Sequence, residues 1–254
     1  MKLITYNVNG IRAAIKKGFI NWLEEEQPDI ICLQEVKASL DEIDQQPFLK
    51  MGYQCHWHQA EKKGYSGVAI FSKITPVLVT YGMGIPAYDV EGRLITFYLP
   101  EFCLLNVYMP SGTTGEIRQQ FKYQWLESFS RYLDEISQKQ PYLLIGGDFN
   151  IAHREIDIHN PVANKNSSGF LPQERAWLDK LFNHGFVDLF RVFHKEPHRY
   201  TWWNQRVNAR ARNLGWRIDY WIASNLLQSK VTNCNILEHI VHSDHCPVMV
   251  EISK

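Results

Sequence analysis

Short apolar runs recur along the chain, and they constrain its fold more than any other feature. Eight segments of six to eight residues are rich in β-branched and aromatic side chains, namely 3–8, 29–34, 67–72, 94–99, 104–109, 142–147, 216–223 and 247–252. Segments of this length and composition predict β-strands. Because many of them are apolar at successive positions, we expect their sheets to be covered on both faces.

Helical periodicity is confined to fewer segments. The clearest runs from about Glu116 to Lys139, where apolar residues recur at steps of three or four. A second helix is expected to begin at Pro172 and to end before Gly185. Strands covered by a sheet on one side and by helices on the other predict a four-layer α/β sandwich. No low-complexity linker or 20- to 50-residue repeat divides the chain, so we expect a single domain over residues 1–254.

Composition excludes several classes of protein. With 45% apolar residues the chain is not of the disordered class, and 27 basic residues balance 27 acidic ones, so any binding of nucleic acid must be local. Five scattered cysteines predict reduced and mostly buried thiols. The chain opens with a strand-like segment instead of a signal sequence, and it contains no apolar run of 18 residues. We therefore expect a cytoplasmic protein with no membrane partner.

Polar side chains cluster where predicted strands end. Asn7 and Asn9 end the first strand, Glu35 follows the second, Tyr108 ends another, and Asp148 stands two residues before Asn150. Residues i and i+2 of an extended backbone face the same way, so each such pair can address one site. A single Asp or Asn at a strand end is more often a turn former. Four such ends together favour a common functional site.

A carboxylate and a histidine near the C-terminus form a second feature. Asp219 interrupts the apolar run 216–223, and His245 lies just before the last predicted strand. A carboxylate in a buried strand is unfavourable unless it has a partner. We expect Asp219 to hydrogen-bond His245.

Together these motifs resemble the exonuclease III and apurinic/apyrimidinic (AP) endonuclease family. The motifs are TYNVNGIRA, LQEVK, NVYMPSG, GGDFNIAHREIDIHNP, GFLPQER, NARARNLGWRIDYW and SDHCPV, in family order, and residues 146–222 are close to the eukaryotic-type branch. The wider superfamily includes DNase I, sphingomyelinases and inositol-polyphosphate phosphatases. The resemblance implies a DNase I-like sandwich of two mixed sheets. Two longer signatures, NPVANKNSSGFLPQER and NARARNLGWRID, point to abasic DNA.

The resemblance also implies a magnesium ion, with manganese as a possible substitute. Mg²⁺ prefers hard oxygen ligands and retains water, so one or two carboxylates suffice. Glu35 matches the principal carboxylate, and Asn7 is expected to supply a neutral oxygen. A second ion would be held by Asp148, Asn150, Asp244 and His245.

The family pattern assigns roles to the catalytic residues. Asp148 matches the residue that orients or deprotonates the attacking water, and Asn150 holds its geometry and a phosphate oxygen. His245, oriented by Asp219, is expected to donate to a phosphoryl oxygen as charge builds there. Tyr108 matches a contact to the scissile phosphate, with protonation of the leaving oxygen as an alternative.

Further matches concern DNA. Arg12, Asn164 and Thr201 resemble phosphate contacts. The segment 191–217 contains seven Lys or Arg and one acidic residue, which predicts phosphate contacts by Arg206, Arg210 and Arg212, although such a strip is often only a solvated face. Trp202, Trp216 and Ile218 match positions that line a pocket for an abasic sugar, the alternative being ordinary core residues.

Two positions depart from the eukaryotic-type pattern. Ser167 stands where an Asn is expected, and Thr114 stands where an Arg reaches toward the DNA. Both residues are shorter and reach less far toward DNA than the residues of the family pattern.

The implied activity is that of a DNA-repair phosphodiesterase. It would cut 5′ to abasic sites in double-stranded DNA, leaving a 3′-hydroxyl and a 5′-deoxyribose phosphate, and it would act as a monomer. Removal of nucleotides and of blocking groups from 3′ ends is expected as well. The alternatives are a nonspecific nuclease or phosphoesterase of the same superfamily, and a DNA-binding module without catalysis.

Overall fold

A computed structural model describes residues 1–205 and 208–253. Within these ranges the chain forms fourteen strands. The first seven are β1 (Lys2–Asn7), β2 (Ile30–Gln34), β3 (Gln54–His58), β4 (Val68–Ser72), β5 (Leu78–Tyr81), β6 (Leu94–Tyr98) and β7 (Cys103–Tyr108). The others are β8 (Leu143–Asp148), β9 (Phe186–Asp188), β10 (Trp202–Trp203), β11 (Gly215–Trp216), β12 (Asp219–Ser224), β13 (Val231–Ile236) and β14 (Val248–Ile252).

Nine α-helices connect these strands in the described ranges. They are α1 (Ile11–Lys16), α2 (Phe19–Glu26), α3 (Gln46–Lys50), α4 (Pro86–Asp89), α5 (Glu116–Lys139), α6 (Pro161–Asn164), α7 (Pro172–Asn183), α8 (Leu189–Phe193) and α9 (Asn225–Gln228). Short 3₁₀ turns occupy Leu40–Glu42 and Glu155–Asp157. The two helices expected from periodicity are α5 and α7, with the expected ends.

Twelve of the strands form two six-stranded sheets of similar design. The first has the order β13-β14-β1-β2-β4-β3, and the second has the order β5-β6-β7-β8-β12-β9. Each sheet contains one parallel pair near its centre, β1 with β2 and β7 with β8, and its other pairs are antiparallel. The sheets are therefore mixed, as the family resemblance implied. β10 and β11 form a separate two-stranded ribbon.

Three apolar cores separate four layers. The central core joins facing strands of the two sheets, with Ile30 and Ile70 from one and Leu104 and Trp221 from the other. An outer core packs α5 and α7 against the second sheet, and another packs the N-terminal helices against the first. The predicted four-layer α/β sandwich is confirmed. Strands buried on both faces explain the continuous apolar runs in the sequence.

The remaining global expectations concern cysteines and membranes. All five cysteines are free thiols, and four are buried. In the part of the chain that is described, no helix has both the length and the apolar character needed to cross a membrane.

Candidate active site

The carboxyl ends of the two parallel strand pairs meet at one edge of the sandwich. Asn7 is the last residue of β1, Glu35 directly follows β2, and Tyr108 and Asp148 end β7 and β8. Carboxyl ends of neighbouring parallel strands lie side by side, so the topology alone brings these four side chains together. Glu35 has a φ of 52°, a left-handed backbone that a glutamate adopts only under strain. That strain is typical of functional positions, where the surrounding structure aims a side chain.

Asn7 bridges the two carboxylates at the centre of the site. Its amide nitrogen donates to Glu35 Oε1 at 3.0 Å and to Asp148 Oδ2 at 2.9 Å. Its amide oxygen accepts from the backbone N–H of Asn9 at 3.0 Å, which fixes the orientation of the amide. The expectation that Asn7 presents its oxygen to a metal ion is therefore not supported by this geometry. Asn7 instead holds Glu35 and Asp148 close together.

Asp148 is buried in an environment that opposes its ionisation. It pairs with Asp219 in the register between β8 and β12, so the two carboxylates lie on directly opposite residues. Burial raises the pKa of Asp148 to about 7, and the charge of Asp219 contributes to the rise. Asn150 donates its backbone N–H to Asp148 Oδ1 at 2.8 Å, which fixes the orientation of the carboxylate. A carboxyl group with a pKa near neutrality suits a general base.

His245 is oriented by Asp219, as the sequence predicted. His245 Nδ1 lies 2.8 Å from Asp219 Oδ2, and its Nε2 lies 4.0 Å from Asp148 Oδ2. Burial disfavours the imidazolium, but the charge and hydrogen bond of Asp219 outweigh it and raise the pKa of His245 to about 10. A protonated imidazole can donate a hydrogen bond to a phosphoryl oxygen.

Thr201 supports this pair from behind. Its side chain is buried, and its hydroxyl accepts from the backbone N–H groups of Ile218 and Asp219 at 3.0 and 3.1 Å. The expectation that Thr201 contacts a DNA phosphate is therefore corrected, because no surface of the side chain is exposed to DNA. It fixes the start of β12 and thereby the position of Asp219.

Tyr108 is held against a buried guanidinium. The Arg93 guanidinium lies 4.5 Å from the ring centroid of Tyr108 and donates to its carbonyl oxygen at 3.0 Å. Burial and the Glu35 carboxylate raise the pKa of the Tyr108 phenol well above its usual value. The hydroxyl therefore keeps its proton and acts as a hydrogen-bond donor.

The residues around Glu35 fit a hard divalent cation. Ligand atoms of Glu35, Asp148 and His245 lie within 4.8 Å of one another. The Lys37 ammonium lies 2.7 Å from Glu35 Oε2, and although burial acts against the charge, Lys37 and the Asn7 hydrogen bond keep the pKa of Glu35 below its usual value. An ionised carboxylate beside a second one is the donor chemistry that Mg²⁺ prefers.

The expected second ion site receives less support. A protonated His245 has no lone pair to offer an ion. Both oxygens of Asp244 already accept hydrogen bonds, Oδ1 from Asn9 and Ser243 and Oδ2 from Trp202. The Asn150 amide nitrogen donates to the Met109 carbonyl at 2.9 Å. The four residues expected to hold this ion are thus occupied with one another and with the protein.

A cleft of about 750 Å³ opens over these groups. Its lining includes Glu35, Tyr108, Asp148, Asn150, Asp244 and His245. Trp202, Trp216 and Ile218 line it as well, and the two indole rings meet edge to face with 6.0 Å between centroids. The two tryptophans are only partly buried, whereas Ile218 is buried and packs with Phe170. The three form an apolar pocket beside the catalytic groups.

Comparison with known proteins decides the family. The model of the endonuclease/exonuclease/phosphatase family matches residues 4–245. The chain belongs to this family. It is 44% identical over 255 residues to an exodeoxyribonuclease of Bacillus subtilis, covering all of both chains, and 39% identical over 254 residues to the DNA repair nuclease APEX1 of Danio rerio, covering 98% of this chain and 81% of the relative.

Solved structures of the family agree with the fold. A 3′ phosphatase from Neisseria bound to a product DNA hairpin superimposes with a TM-score of 0.92 at 29% identity, and an AP endonuclease from Archaeoglobus fulgidus with a TM-score of 0.90 at 32% identity. Each comparison covers both chains completely. The predicted exonuclease III and AP endonuclease family and the phosphodiester hydrolase class are confirmed.

The structure of this family member places the predicted DNA contacts unevenly. Arg12 is exposed and pairs with Glu42 at 3.0 Å. The Asn164 amide donates to the backbone carbonyls of His159 and Asn160, so it is tied to its own turn, and the neighbouring Asn166 lines the cleft instead. Contact of Asn164 with the scissile phosphate therefore has no support from this geometry.

Most of the basic strip is committed to internal contacts. The Arg210 guanidinium donates to four backbone carbonyls in 238–245 and stacks on Trp203, so its expected phosphate contact is corrected. Other described cations of the strip also have internal partners. Arg191 pairs with Asp157, and Arg217 pairs with Asp157 and Asp188. Arg199 pairs with Glu238, and Lys195 donates to a backbone carbonyl. Arg212 is exposed, and Arg206 lies outside the described residues.

Several residues at the site were not found from the sequence. Lys37 contacts Glu35, Arg93 supports Tyr108, and Lys122 and Glu174 pair behind Asn150. A signal for Lys122 existed, because it stands three residues before Trp125 on the apolar stripe of α5, where a charge requires a buried partner. Ser167, one of the two departures from the pattern, lines the cleft, while Thr114 is exposed at its rim beside Thr113 and Gly115.

Proposed function

We propose that this enzyme is a magnesium-dependent DNA-repair nuclease that cuts the backbone 5′ to abasic sites and leaves a 3′-hydroxyl and a 5′-deoxyribose phosphate. Trimming of 3′ ends by the same chemistry accompanies this activity. One observation carries the proposal: Asp148 and His245, which Asp219 orients, line the same cleft as the apolar residues Trp202, Trp216 and Ile218. The pocket places a sugar without a base next to the groups that hydrolyse a phosphodiester.

The catalytic residues divide the chemistry among them. Asp148 accepts a proton from the attacking water, because its pKa of about 7 allows it to be ionised and still basic at neutral pH. His245, kept protonated by Asp219, donates to a phosphoryl oxygen as negative charge develops there. The Tyr108 hydroxyl donates to the same phosphate.

A magnesium ion fits the Glu35 side of the cleft. When bound, Mg²⁺ offsets the charge of the phosphate oxygens that otherwise repel a nucleophile. Glu35 is its principal protein ligand, with Asp148 close by, and Asn7 fixes the separation of these two carboxylates. Manganese has similar ligand preferences and is expected to substitute.

Selection of abasic sites follows from shape and from the cost of extrusion. An intact nucleotide must lose pairing and stacking worth a few kcal/mol to leave the duplex, whereas an abasic sugar loses neither. Trp202 and Trp216 line the pocket, and their rings meet at right angles with 6.0 Å between centroids. The pocket accepts a bare deoxyribose and excludes a sugar that carries a base.

The family comparisons support DNA as the substrate. Two relatives are named as an exodeoxyribonuclease and a DNA repair nuclease, and one structural neighbour was solved with product DNA. Glu35, Tyr108, Asp148 and His245 line one cleft of a single chain, so the proposed chemistry requires no second copy, and we propose a monomer as the active form.

The proposal is tested with a 5′-labelled duplex that carries one central tetrahydrofuran site, beside its undamaged counterpart. Incision of the abasic duplex alone is expected with Mg²⁺ and is abolished by EDTA. The labelled product should be extended by a DNA polymerase, since extension requires a 3′-hydroxyl. Equal internal cutting of both duplexes would make a nonspecific nuclease the better description, and cutting in EDTA would exclude the metal.

A further inference from the structure

A buried ion pair lies behind the cleft and takes no part in the chemistry proposed above. Lys122 Nζ lies 2.5 Å from Glu174 Oε1, and both side chains are fully buried. Burying two opposite charges costs more than a well-packed apolar pair would, so such a pair contributes little net stability. Its contacts on either side indicate a different role.

Lys122 contacts the catalytic turn, residues 148–150. Its ammonium donates to the carbonyl oxygen of Asn150 at 2.8 Å. Asn150 has a left-handed φ of 52°, and its N–H donates to Asp148 Oδ1. The ammonium therefore anchors Asn150, the residue whose N–H orients the Asp148 carboxylate.

Glu174 contacts the pocket wall, residues 168–171. Its Oε2 accepts from the backbone N–H groups of Gly169 and Leu171 at 2.7 and 3.0 Å. Gln119 extends the link, because it donates to Glu174 Oε1 at 3.1 Å and accepts from the Ser168 hydroxyl at 2.7 Å. Ser168, Gly169 and Leu171 of this wall line the cleft.

Gly169 joins the wall directly to the pocket and the turn. A Cβ on this glycine would lie 3.0 Å from the Trp216 ring and 3.1 Å from the Asn150 carbonyl oxygen. Its own carbonyl oxygen accepts from Ala152 N–H at 2.8 Å. The wall, the turn and Trp216 are thus in contact, and a shift of one displaces the others.

We propose that the Lys122–Glu174 pair is a positioning device that fixes the pocket wall relative to the catalytic turn, so that a sugar seated against Trp216 presents its phosphate to Asp148. The inference rests on the proposed function. Hydrogen bonds of defined length set this spacing more sharply than apolar packing would, and a misplacement of 1 Å can cost about 100-fold in rate.

Two variants separate positioning from stability. Lys122→Met removes the bond to Asn150 and leaves the Glu174 carboxylate buried without its cation, which destabilises the fold. The double variant Lys122→Met/Glu174→Gln buries no charge, and its amide oxygen still accepts from the pocket wall. Leu133→Ala, in the buried face of the same helix, is the matched control for loss of stability alone.

The expected result is a separation of activity from stability. Both Lys122 variants should lose about 10- to 100-fold in kcat with KM changed less than about twofold, although the double variant unfolds at a higher temperature than the single one. Hydrogen exchange should quicken in residues 148–152 of both, while 168–171 stay protected in the double variant. Leu133→Ala should unfold at a lower temperature and retain its kcat, all assays being run well below the unfolding transitions.

Failure of this inference is distinguishable from failure of the proposed function. Wild-type kcat in the double variant would overturn the positioning role, and so would losses that follow the unfolding temperatures of all variants. Tests of the positioning role and of the proposed function both require that wild type cuts a substrate. Release of nucleotides from 3′ ends of undamaged duplex is therefore measured alongside incision. If wild type acts on 3′ ends but spares the tetrahydrofuran site, the abasic assignment fails while the Lys122 comparison is still made on the ends.

Discussion

Asp148 and Asp219 show how individual residues are forced into a reactive state. They occupy directly opposed positions of β8 and β12, both are buried, and the His245 imidazole lies near both carboxylates. His245 hydrogen-bonds Asp219 at 2.8 Å through Nδ1, whereas its Nε2 lies 4.0 Å from Asp148. Burial raises the pKa of Asp148, the charge of Asp219 raises it further, and His245 opposes the rise. The fold therefore holds a carboxylate whose ionised form it disfavours.

Asp148→Asn should lower turnover by roughly 100- to 10,000-fold, the usual range for a positioned general base. It should also stabilise the metal-free protein at pH 8, since the folded state holds the Asp148 proton more tightly than the unfolded chain. With the pKa raised to about 7, wild type loses stability as pH rises from about 4 to 7, and the variant avoids that loss. Unfolding temperatures at pH 5 and pH 8 check the sign, and a variant that gains nothing at pH 8 would contradict it.

Glu35→Gln should raise the magnesium concentration needed for half-maximal rate by about tenfold or more, because a neutral amide oxygen binds Mg²⁺ more weakly than a carboxylate. The substitution also removes the ion pair with Lys37, whose ammonium lies 2.7 Å from the Glu35 carboxylate in wild type. Rates are measured across a magnesium titration, with the exposed Glu42→Gln as control. An unchanged midpoint in Glu35→Gln would exclude Glu35 as a ligand.

Among the secondary-structure elements, sequence patterns predicted the strands that are buried in the cores and missed the strands at the edges of the sheets. Seven of the eight apolar runs each became one strand because they are buried between layers. β3, β5, β9 and β13 were missed because each is an edge strand with polar or exposed positions, or is only a few residues long.

The run 216–223 shows a different limit of sequence reasoning. It was predicted as one strand, but Trp216 pairs in the ribbon and Asp219 begins β12. Between them the Arg217 side chain is drawn inward to Asp157 and Asp188, at 2.8 and 2.6 Å. These partners lie 60 and 29 residues away in the chain, so no local pattern indicates them. The break leaves Trp216 in the lining of the cleft.

The site was predictable to the extent that its residues end strands. Glu35, Tyr108, Asp148 and His245 were found in this way and by family resemblance, and all four line the cleft. The misses arise where hydrogen bonds decide a role. Thr201 and Arg210 have polar side chains that could contact a phosphate. In the folded chain, however, these side chains hydrogen-bond backbone groups that are distant in the sequence.

The ribbon of β10 and β11 yields a prediction of its own. Trp216→Ala should open the pocket and lower the preference for the abasic over the undamaged duplex, because a larger space no longer excludes a base. The ratio of incision rates on the two duplexes measures this preference. Trp57→Ala, which truncates a partly buried indole on the outer face of the first sheet, serves as control. If Trp216→Ala lowers both rates alike and also the unfolding temperature, Trp216 belongs to the core.

At the scale of the whole molecule, binding of a polyanion by a chain of zero net charge has to be local. Most of the described basic residues of segment 191–217 are not free to contact DNA phosphates. Arg191, Arg199 and Arg217 form ion pairs with carboxylates of their own protein. Within the described part of the strip, residues 191–205 and 208–217, few cations are therefore left to contact DNA. Few phosphate contacts imply a shallow dependence of affinity on salt and rapid release of product.

Arg212 provides the test of this view, because it is an exposed cation of the strip, in the turns that connect β10 to β11. Each phosphate contact contributes about 0.9 to the slope of log affinity against log salt, so Arg212→Gln should lower the slope by roughly one and weaken binding equally to abasic and undamaged duplexes. Binding is measured by fluorescence anisotropy from about 50 to 200 mM salt, with EDTA present to prevent cleavage. Lys139→Gln removes the same charge at the far end of α5, about 35 Å from the end that lines the cleft, and should leave the slope unchanged. Equal slopes for wild type and both variants would show that Arg212 does not contact a phosphate, whereas equal reductions would mean that net charge, and not a local contact, governs binding.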